Sequence, residues 1–385
     1  MKVLIYTEYF FPIPGGVQTI VRELASGLAA WSSRSPGADA VEVTVVTQTV
    51  ERTAEDKELP FRLIRRPRFG ELVRELIGAD VVHLAGPAIV PLVLGLLMRK
   101  PVVVEHHGFQ VACPNGLMFF EPTQTHCPGH FMAGRYGKCF ECNGRSVGPR
   151  KSLSWLALTH LRRWLAERAT ANITPTDWLA TILKLNRTST VYHGVSSVAG
   201  TADSILSPST FAYQGRLVTT KGVDLLLQAA QQLRNEKYDF RLKIIGEGPE
   251  LESLKSRAAG LHGEVEFLGH VPDKNLEEVL SDVATVVMPS LGGEVFGLVA
   301  GENMLRGKLL IVSDLGALRE VVGDTGMIFR TGDAESLAAC MRKVLENPSL
   351  PASLGPAAHA RAMKVFDPDS MIQGHVSLYR EALRR

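Results

Sequence analysis

No apolar stretch in this chain is long enough to read as a membrane span. The longest, Ala85 to Met98, falls short of the roughly 20 residues a bilayer core requires and contains Pro87 and Pro91. The N-terminal Met1-Lys2-Val3-Leu4-Ile5-Tyr6 runs straight into a strand-like segment, without an apolar h-region and small-residue cleavage site, so no secretory signal is expected. An excess of one charge is lacking too. Lys and Arg number 42 against 40 Asp and Glu, and a net +2 gives no field for nucleic acid. Cysteine is scarce and odd in number, at five, which fits a reducing cytoplasm better than a disulfide framework. Internal repeats and low-complexity tracts do not stand out. What remains is a soluble globular composition, 45% hydrophobic and 21% charged, over 385 residues, a length that suits two domains.

Short apolar runs alternate with amphipathic helical stretches, the pattern of parallel α/β structure. Lys2–Thr7, Val41–Thr47, Asp80–Leu84, Pro101–Glu105, Ala171–Thr174 and Thr188–Tyr192 read as strands, and Gly16–Ala30 and Leu153–Thr170 as helices. Ser196 to Ser209 is rich in Ser, Ala, Thr and Pro and reads as a linker. The pattern then restarts, with strands expected at Phe211–Gln214, Arg241–Ile245, Glu264–Leu268, Val283–Met288, Lys308–Val312 and Met327–Phe329. Helices are expected over Gly222–Arg234 and Pro249–Ala259, with a last one over Ser370–Arg384. The expected domains are 1–195 with 368–385, and 210–367, joined by 196–209. Two doubly wound domains leave a cleft, and such sheets bind ligands at the carboxyl ends of their strands.

The segment Glu294-Val295-Phe296-Gly297-Leu298-Val299-Ala300-Gly301-Glu302 follows the buried strand Val283–Met288 and opens a helix near Leu298. Strand, glycine turn and helix make a phosphate site, because the first N–H groups of the helix have no partner within it. Glu294 in the loop and Glu302 one turn into the helix are carboxylates able to accept the hydroxyls of a sugar or ribose. Gly215-Arg216-Leu217 with Lys221-Gly222 follows the first strand of the second domain, where a guanidinium and an ammonium can clamp a diphosphate. A single Arg or Lys is more often a solvated surface cation; the place at a strand's carboxyl end favours function. Pro14-Gly15-Gly16-Val17 opens the first helix, and glycine there lets backbone approach a ligand. Glu105-His106-His107-Gly108 ends a strand, and a histidine there can bond a substrate hydroxyl or support developing charge. Gly246-Glu247-Gly248-Pro249 suggests a dinucleotide fingerprint, but Leu251 stands where its third glycine belongs, so it reads as a structural turn.

With these motifs together the chain resembles a retaining glycosyltransferase of family 4 with the GT-B fold: two Rossmann-like domains facing across a cleft, the last helix crossing back to the first. The resemblance spans nearly the whole chain. It rests on Gly15-Gly16, the strand-end histidine, Gly215-Arg216-Leu217 with Lys221-Gly222, Phe267-Leu268-Gly269-His270-Val271-Pro272, and the Glu294 to Glu302 segment, which is similar to that family's E-x7-E signature. It implies that Arg216 and Lys221 bind the donor diphosphate and that Glu294 holds donor-sugar hydroxyls. Phe296, Gly297 and Leu298 would present backbone, Glu302 would bind the ribose, and Gly16 would approach the phosphate. His107 would be the catalytic histidine, with His106 adjacent and the register open by one residue. The implied reaction moves a sugar from a nucleoside-diphosphate sugar to a hydroxyl acceptor with retention, and needs no metal for catalysis. Asp367-Pro368-Asp369 opens the last helix and reads as an N-cap, not a metal motif. A nucleotide-sugar epimerase, an NAD-dependent oxidoreductase and a zinc-stapled binding module are the alternatives weighed. Acid–base groups around the sugar, a third glycine, or indifference to nucleotides would favour each in turn.

Cys113, Cys127, Cys139 and Cys142 fall in one Gly- and Pro-rich stretch, read as a long loop, where four thiolates can hold a structural Zn²⁺; reduced thiols and disulfides are the other options. Arg150 to Arg168 carries Leu153, Trp155, Leu156, Leu161, Trp164 and Leu165 with Lys151, Arg162 and Arg163. That stripe is expected to pack in the core, with association at an anionic inner-membrane face kept as the second reading.

Overall fold

The computed structural model describes residues 1–31, 40–196, 207–261 and 263–385. The chain forms two compact units, the first made of Met1–Gly116, Gly129–Gly194 and Phe366–Arg385, the second of Leu117–Pro128 and Val195–Val365. Of the linker expected over 196–209, residues 197–206 lie outside the described residues.

The first unit begins with β1 (Lys2–Thr7), β2 (Glu42–Thr47), β3 (Arg62–Arg65), β4 (Val81–Ala85) and β5 (Val102–Glu105). The chain then makes the hairpin β6 (Phe119–Phe120) and β7 (Thr125–His126), which belongs to the second unit, and returns for β8 (Ala171–Thr174) and β9 (Thr188–Thr190). The sheet order is β3-β2-β1-β4-β5-β8-β9, and every pairing in it is parallel. Val81, Val82 and Val102 to Val104 are fully buried, as strands covered by helices on both faces must be. Helix α1 (Gly16–Ala29) buries Ile20, Val21, Leu24, Ala25 and Leu28, a stripe at helical spacing. Between β3 and β5 lie α2 (Phe69–Gly78) and α3 (Ile89–Leu97), so the Ala85–Met98 run is a strand end followed by a short helix. Among the described residues no helix is long and apolar enough to cross a membrane.

The stretch from Cys113 to Arg150 is not the structureless loop expected from its glycines and prolines. It contains the β6–β7 hairpin and α4 (Tyr136–Val147), whose buried face includes Cys139, Cys142 and Asn143. Helix α5 (Pro149–Ala166) starts earlier than the apolar spacing indicates, because Pro149 suits a first helical turn. Its stripe is also not core: Leu153 is 61% exposed, Trp164 50% and Leu161 40%, and Leu165 alone of the six named apolar residues is fully buried. Helix α6 (Asp177–Leu183) is capped by Thr176, whose hydroxyl accepts from the Leu179 N–H.

The second unit's sheet has the order β12-β11-β10-β13-β14-β15, again all parallel, from β10 (Ser207–Gln214), β11 (Arg241–Ile245), β12 (Val265–Gly269), β13 (Val283–Met288), β14 (Leu309–Ser313) and β15 (Met327–Phe329). The helices are α7 (Val223–Asn235), α8 (Leu251–Arg257), α9 (Asp273–Val279), α10 (Leu298–Leu305), α11 (Gly316–Val322), α12 (Ala334–Glu346) and α13 (Leu350–Val365). Phe211, Leu226, Leu242, Ile244, Val287, Leu309 and Met341 share one core cluster between sheet and helices. The last helix, α14 (Pro368–Arg384), returns to the first unit, burying Met371, Ile372, His375, Val376 and Tyr379. Asp367 caps it as the sequence indicates, accepting from the Ser370 N–H at 2.9 Å.

Candidate active site

Strand order reverses between β10 and β13 in the second unit, since the chain builds outward from that pair in both directions. Loops leaving the carboxyl ends of such a pair diverge and leave room for a ligand. The loop after β10 carries Arg216 and Lys221; the loop after β13 carries Glu294, Phe296 and Gly297 and leads into α10 with Leu298 and Glu302. Seven of the nine catalytic and donor-binding residues expected from the sequence thus share one sheet end.

Lys221 Nζ donates to Glu294 Oε1, which also accepts from Ser290 Oγ at 3.0 Å. The Glu294 side chain is only 8% exposed and that of Lys221 29%, so the pair is partly shielded from water. Arg216 is exposed, and its carbonyl is held by the Tyr213 hydroxyl at 2.8 Å. Burial, then the Glu294 and Glu250 charges, push the Tyr213 phenol above its ordinary range, so it stays a hydroxyl. Phe296 is buried, leaving its backbone as the part able to meet a ligand. Gly297 caps α10 at φ 91°, a left-handed conformation that glycine adopts without penalty, and from there the N–H groups of the first turn point out of the helix. Asn303, fully buried, donates to Gln214 Oε1 at 3.0 Å and ties α10 to the end of β10.

The two loops are locked together by backbone. Gly222 has φ 68°, and a Cβ there would lie 2.0 Å from the Pro289 carbonyl oxygen. The Leu291 N–H donates to Thr220 O at 2.8 Å, and the Gly293 N–H to Leu117 O, beside the β6–β7 hairpin, at 2.7 Å. Gly246-Glu247-Gly248-Pro249 is a brace for the Arg216 loop: Leu217 N–H donates to Glu247 O at 2.8 Å, and a Cβ on Gly248 would strike Leu217 O at 2.2 Å.

In the first unit, Gly16 is the exposed first residue of α1, in the loop region after β1. His106 and His107 follow β5 and take different roles. His106 is fully buried; its Nε2–H donates to Asn172 Oδ1 at 2.9 Å, because the Asn172 amide nitrogen is donating to Ala166 O and Asn186 O. Burial pushes His106 down to about 4, so it is neutral and structural. His107 instead stacks on His193, with ring centroids 5.3 Å apart and an interplanar angle of 17°, and its Nε2 lies 3.6 Å from Glu105 Oε2. Burial lowers His107 as well, against the opposing charge of Glu105. Burial alone would raise Glu105, yet the surrounding histidines, His107 and His375 foremost, hold it well below the carboxylate range.

Glu105, His193, Ser290 and Asn303 are the site-supporting residues that sequence reasoning missed. Glu105 and His193 sit at strand ends already predicted, which was a usable signal; Ser290 and Asn303 gave none. Cys113, Cys139 and Cys142 are buried in the first unit, and Cys127 is buried in the second. Cys113 Sγ lies 3.0 Å from Asn115 Oδ1, and Asn115 Nδ2 lies 3.6 Å from Cys142 Sγ. Among the described residues, two groups of three histidine or carboxylate atoms come within 4.8 Å of one another, His83–Glu105–His375 and Glu105–His107–His193, and no cysteine belongs to either.

Residues 14–197 match the family description "Glycosyltransferase Family 4", and residues 204–361 match "Glycosyl transferases group 1". A phosphatidyl-myo-inositol mannosyltransferase of Mycolicibacterium smegmatis is 36% identical over 132 residues, 34% of this chain and 34% of that protein, so the match spans about a third of that relative. A GDP-mannose-dependent monoacylated alpha-(1-6)-phosphatidylinositol monomannoside mannosyltransferase of Corynebacterium glutamicum is 24% identical over 390 residues, 93% of this chain and 92% of that protein. Among solved structures, Anabaena Alr3699/HepE in complex with UDP superposes with a TM-score of 0.74 at 18% identity, covering 99% of this chain and 100% of that one. At that identity the likeness shows the fold, which is GT-B.

Proposed function

We propose, for a chain that belongs to glycosyltransferase family 4, that it moves a sugar from a nucleoside-diphosphate sugar to a hydroxyl acceptor with retention of the anomeric configuration. The observation that carries this reading is the convergence of Arg216, the Lys221–Glu294 pair and the start of α10 at the β10/β13 switch point. Arg216, Lys221 and the first-turn N–H groups supply positive charge for a diphosphate, and the charge on the departing diphosphate is what grows in the transition state. Glu294 accepts sugar hydroxyls on the side away from Ser290, and Glu302, four residues into the helix from Leu298, accepts ribose hydroxyls. Retention follows when the leaving diphosphate oxygen takes the acceptor's proton on the face it departs from. Catalysis is then positioning and electrostatics, without a protein nucleophile. His107 bonds an acceptor or donor hydroxyl, with His193 stacked behind it and Glu105 beside it.

The same reading includes peripheral association with an anionic membrane. It is supported by exposed Leu153, Leu161 and Trp164 on α5 beside Lys151, with Arg168 stacked 3.6 Å over Trp164.

Thermal stabilisation by UDP-, GDP-, ADP- and TDP-sugars, repeated with Glu302→Ala, tests the donor site. One nucleotide family should raise the melting temperature of the native chain and lose that effect in the variant. Stabilisation by none of them overturns the reading. The anomeric configuration of product formed from the active donor, read by NMR coupling, decides retention.

A further inference from the structure

The histidine–carboxylate cluster of the first unit has a half that sugar transfer does not use. Glu105 closes β5 with no exposure, and His83 on β4 and His375 on α14 face it, equally buried. His83 Nε2 lies 3.1 Å and His375 Nε2 3.4 Å from the same oxygen, Glu105 Oε2. The far nitrogen of each ring is already engaged. His375 Nδ1 is 2.9 Å from the Met371 carbonyl, and His83 Nδ1 is 2.9 Å from the Tyr379 hydroxyl.

Tautomers follow from these partners. A carbonyl only accepts, so His375 Nδ1 carries the hydrogen. A neutral His375 then turns the bare lone pair of Nε2 towards a carboxylate oxygen, and two acceptors 3.4 Å apart repel unless something positive lies between them. The Tyr379 hydroxyl can accept from His83 Nδ1, as a ligating imidazole requires, which leaves His83 Nε2 bare in the same way; with the phenol donating instead, His83 Nε2 carries the hydrogen towards Glu105. A buried carboxylate also needs a counter-charge, since taking it out of water is costly.

We propose that His83, Glu105 and His375 bind one divalent transition-metal ion of the zinc class, a structural site that ties β4, β5 and α14 together. Bonds of about 2.0–2.1 Å at tetrahedral angles put ligand atoms about 3.3 Å apart; the two histidine–carboxylate separations bracket that value, and all three ligand atoms lie within 4.8 Å of one another. The backbone carbonyl on His375 and the phenol on His83 are the outer partners that fix a ligating imidazole's tautomer and orientation. The two rings come from opposite ends of the sequence, so the ion would hold the returning helix to the sheet. This inference does not depend on the sugar-transfer reading.

The test is metal content of the full chain, stripped with chelator, reloaded with Zn²⁺ or Co²⁺ and freed of excess. The native chain should hold one equivalent more than Glu105→Gln or His375→Gln, each first checked for native circular dichroism. Loaded with Co²⁺, that equivalent should show visible d–d bands of a tetrahedral nitrogen and oxygen site without thiolate charge transfer, which sets it apart from any ion on the cysteines. Restoring Zn²⁺ should raise the melting temperature of the native chain and not of His375→Gln. Equal metal content in native and variant chains overturns the proposal and leaves a proton on His375 Nε2 as the neutralising charge. If neither variant folds, the native chain decides alone: Co²⁺ bands carrying thiolate charge transfer only, or no uptake, overturn it equally.

Discussion

Replacing Gly222 by alanine should strongly damage the second unit's site. Two effects combine there. The first is the left-handed backbone, φ 68°, which costs a residue with a Cβ about 1–2 kcal/mol. The second is contact: the new Cβ would lie 2.0 Å from the Pro289 carbonyl oxygen, and that neighbour is backbone, unable to rotate away. The loop bearing Lys221 must therefore shift by more than an ångström from the end of β13, where Glu294 follows. Gly332 is the control in the same unit, because its φ of 79° carries the first cost while nothing lies within 4 Å of its Cβ position. Gly332→Ala should lose about 1 kcal/mol and Gly222→Ala a further 2–3 kcal/mol, in the range of overpacked sites. Urea unfolding of the full chain, compared between the two variants, measures both. Donor binding adds a second readout, since an ångström of misplacement can cost a hundredfold in rate. A Gly222→Ala protein within about 0.5 kcal/mol of Gly332→Ala would refute the reasoning, because the contact would then have no energetic content.

Two further outcomes are expected. Lys308 is 4% exposed, its Nζ bonded to Leu280 O at 2.9 Å; burial, helped by Arg306 and Lys243 and opposed by Glu277 and Asp282, pushes its ammonium down to about 8 from 10.5. Between those values the unfolded chain holds a proton the folded one does not, so stability relative to Lys308→Met should rise by about 2 kcal/mol from pH 7.5 to pH 10, and a flat difference would exclude the effect. Flotation with anionic vesicles should carry the native protein upward and leave Trp164→Ser with Leu153→Ser at the bottom; native protein that stays down with anionic and neutral vesicles alike ends the membrane reading.

Strands such as Val283–Met288 and Leu309–Ser313 were legible because parallel strands buried on both faces leave near-continuous apolar runs. Arg62–Arg65 was not, as an edge strand of four residues with arginine at each end carries no such run. The layout of the candidate site was legible where residue type and strand end coincide, as at Arg216 and Glu294, which follow the adjacent strands β10 and β13. It was opaque where long-range packing decides. Nothing local marks Ser290 as the hydroxyl on Glu294, or separates the buried ring of His106 from the stacked ring of His107. The same holds for α5: spacing showed an apolar stripe on a helix, but only tertiary packing decides how much of a stripe is covered.

The chain passes between its two units at Gly116, Pro128, Gly194 and Val365, and this sets an order of assembly. During synthesis the β6–β7 hairpin emerges early and must wait for the glycine turn that bonds Leu117, 176 residues later at Gly293. The second unit then has all its parts once Val365 is made. The first unit, though begun first, still lacks Phe366–Arg385, with His375 and Tyr379, which face His83 and Glu105. The half that starts the chain is therefore the half that is finished last, and neither half can be cut out of the gene at a single boundary.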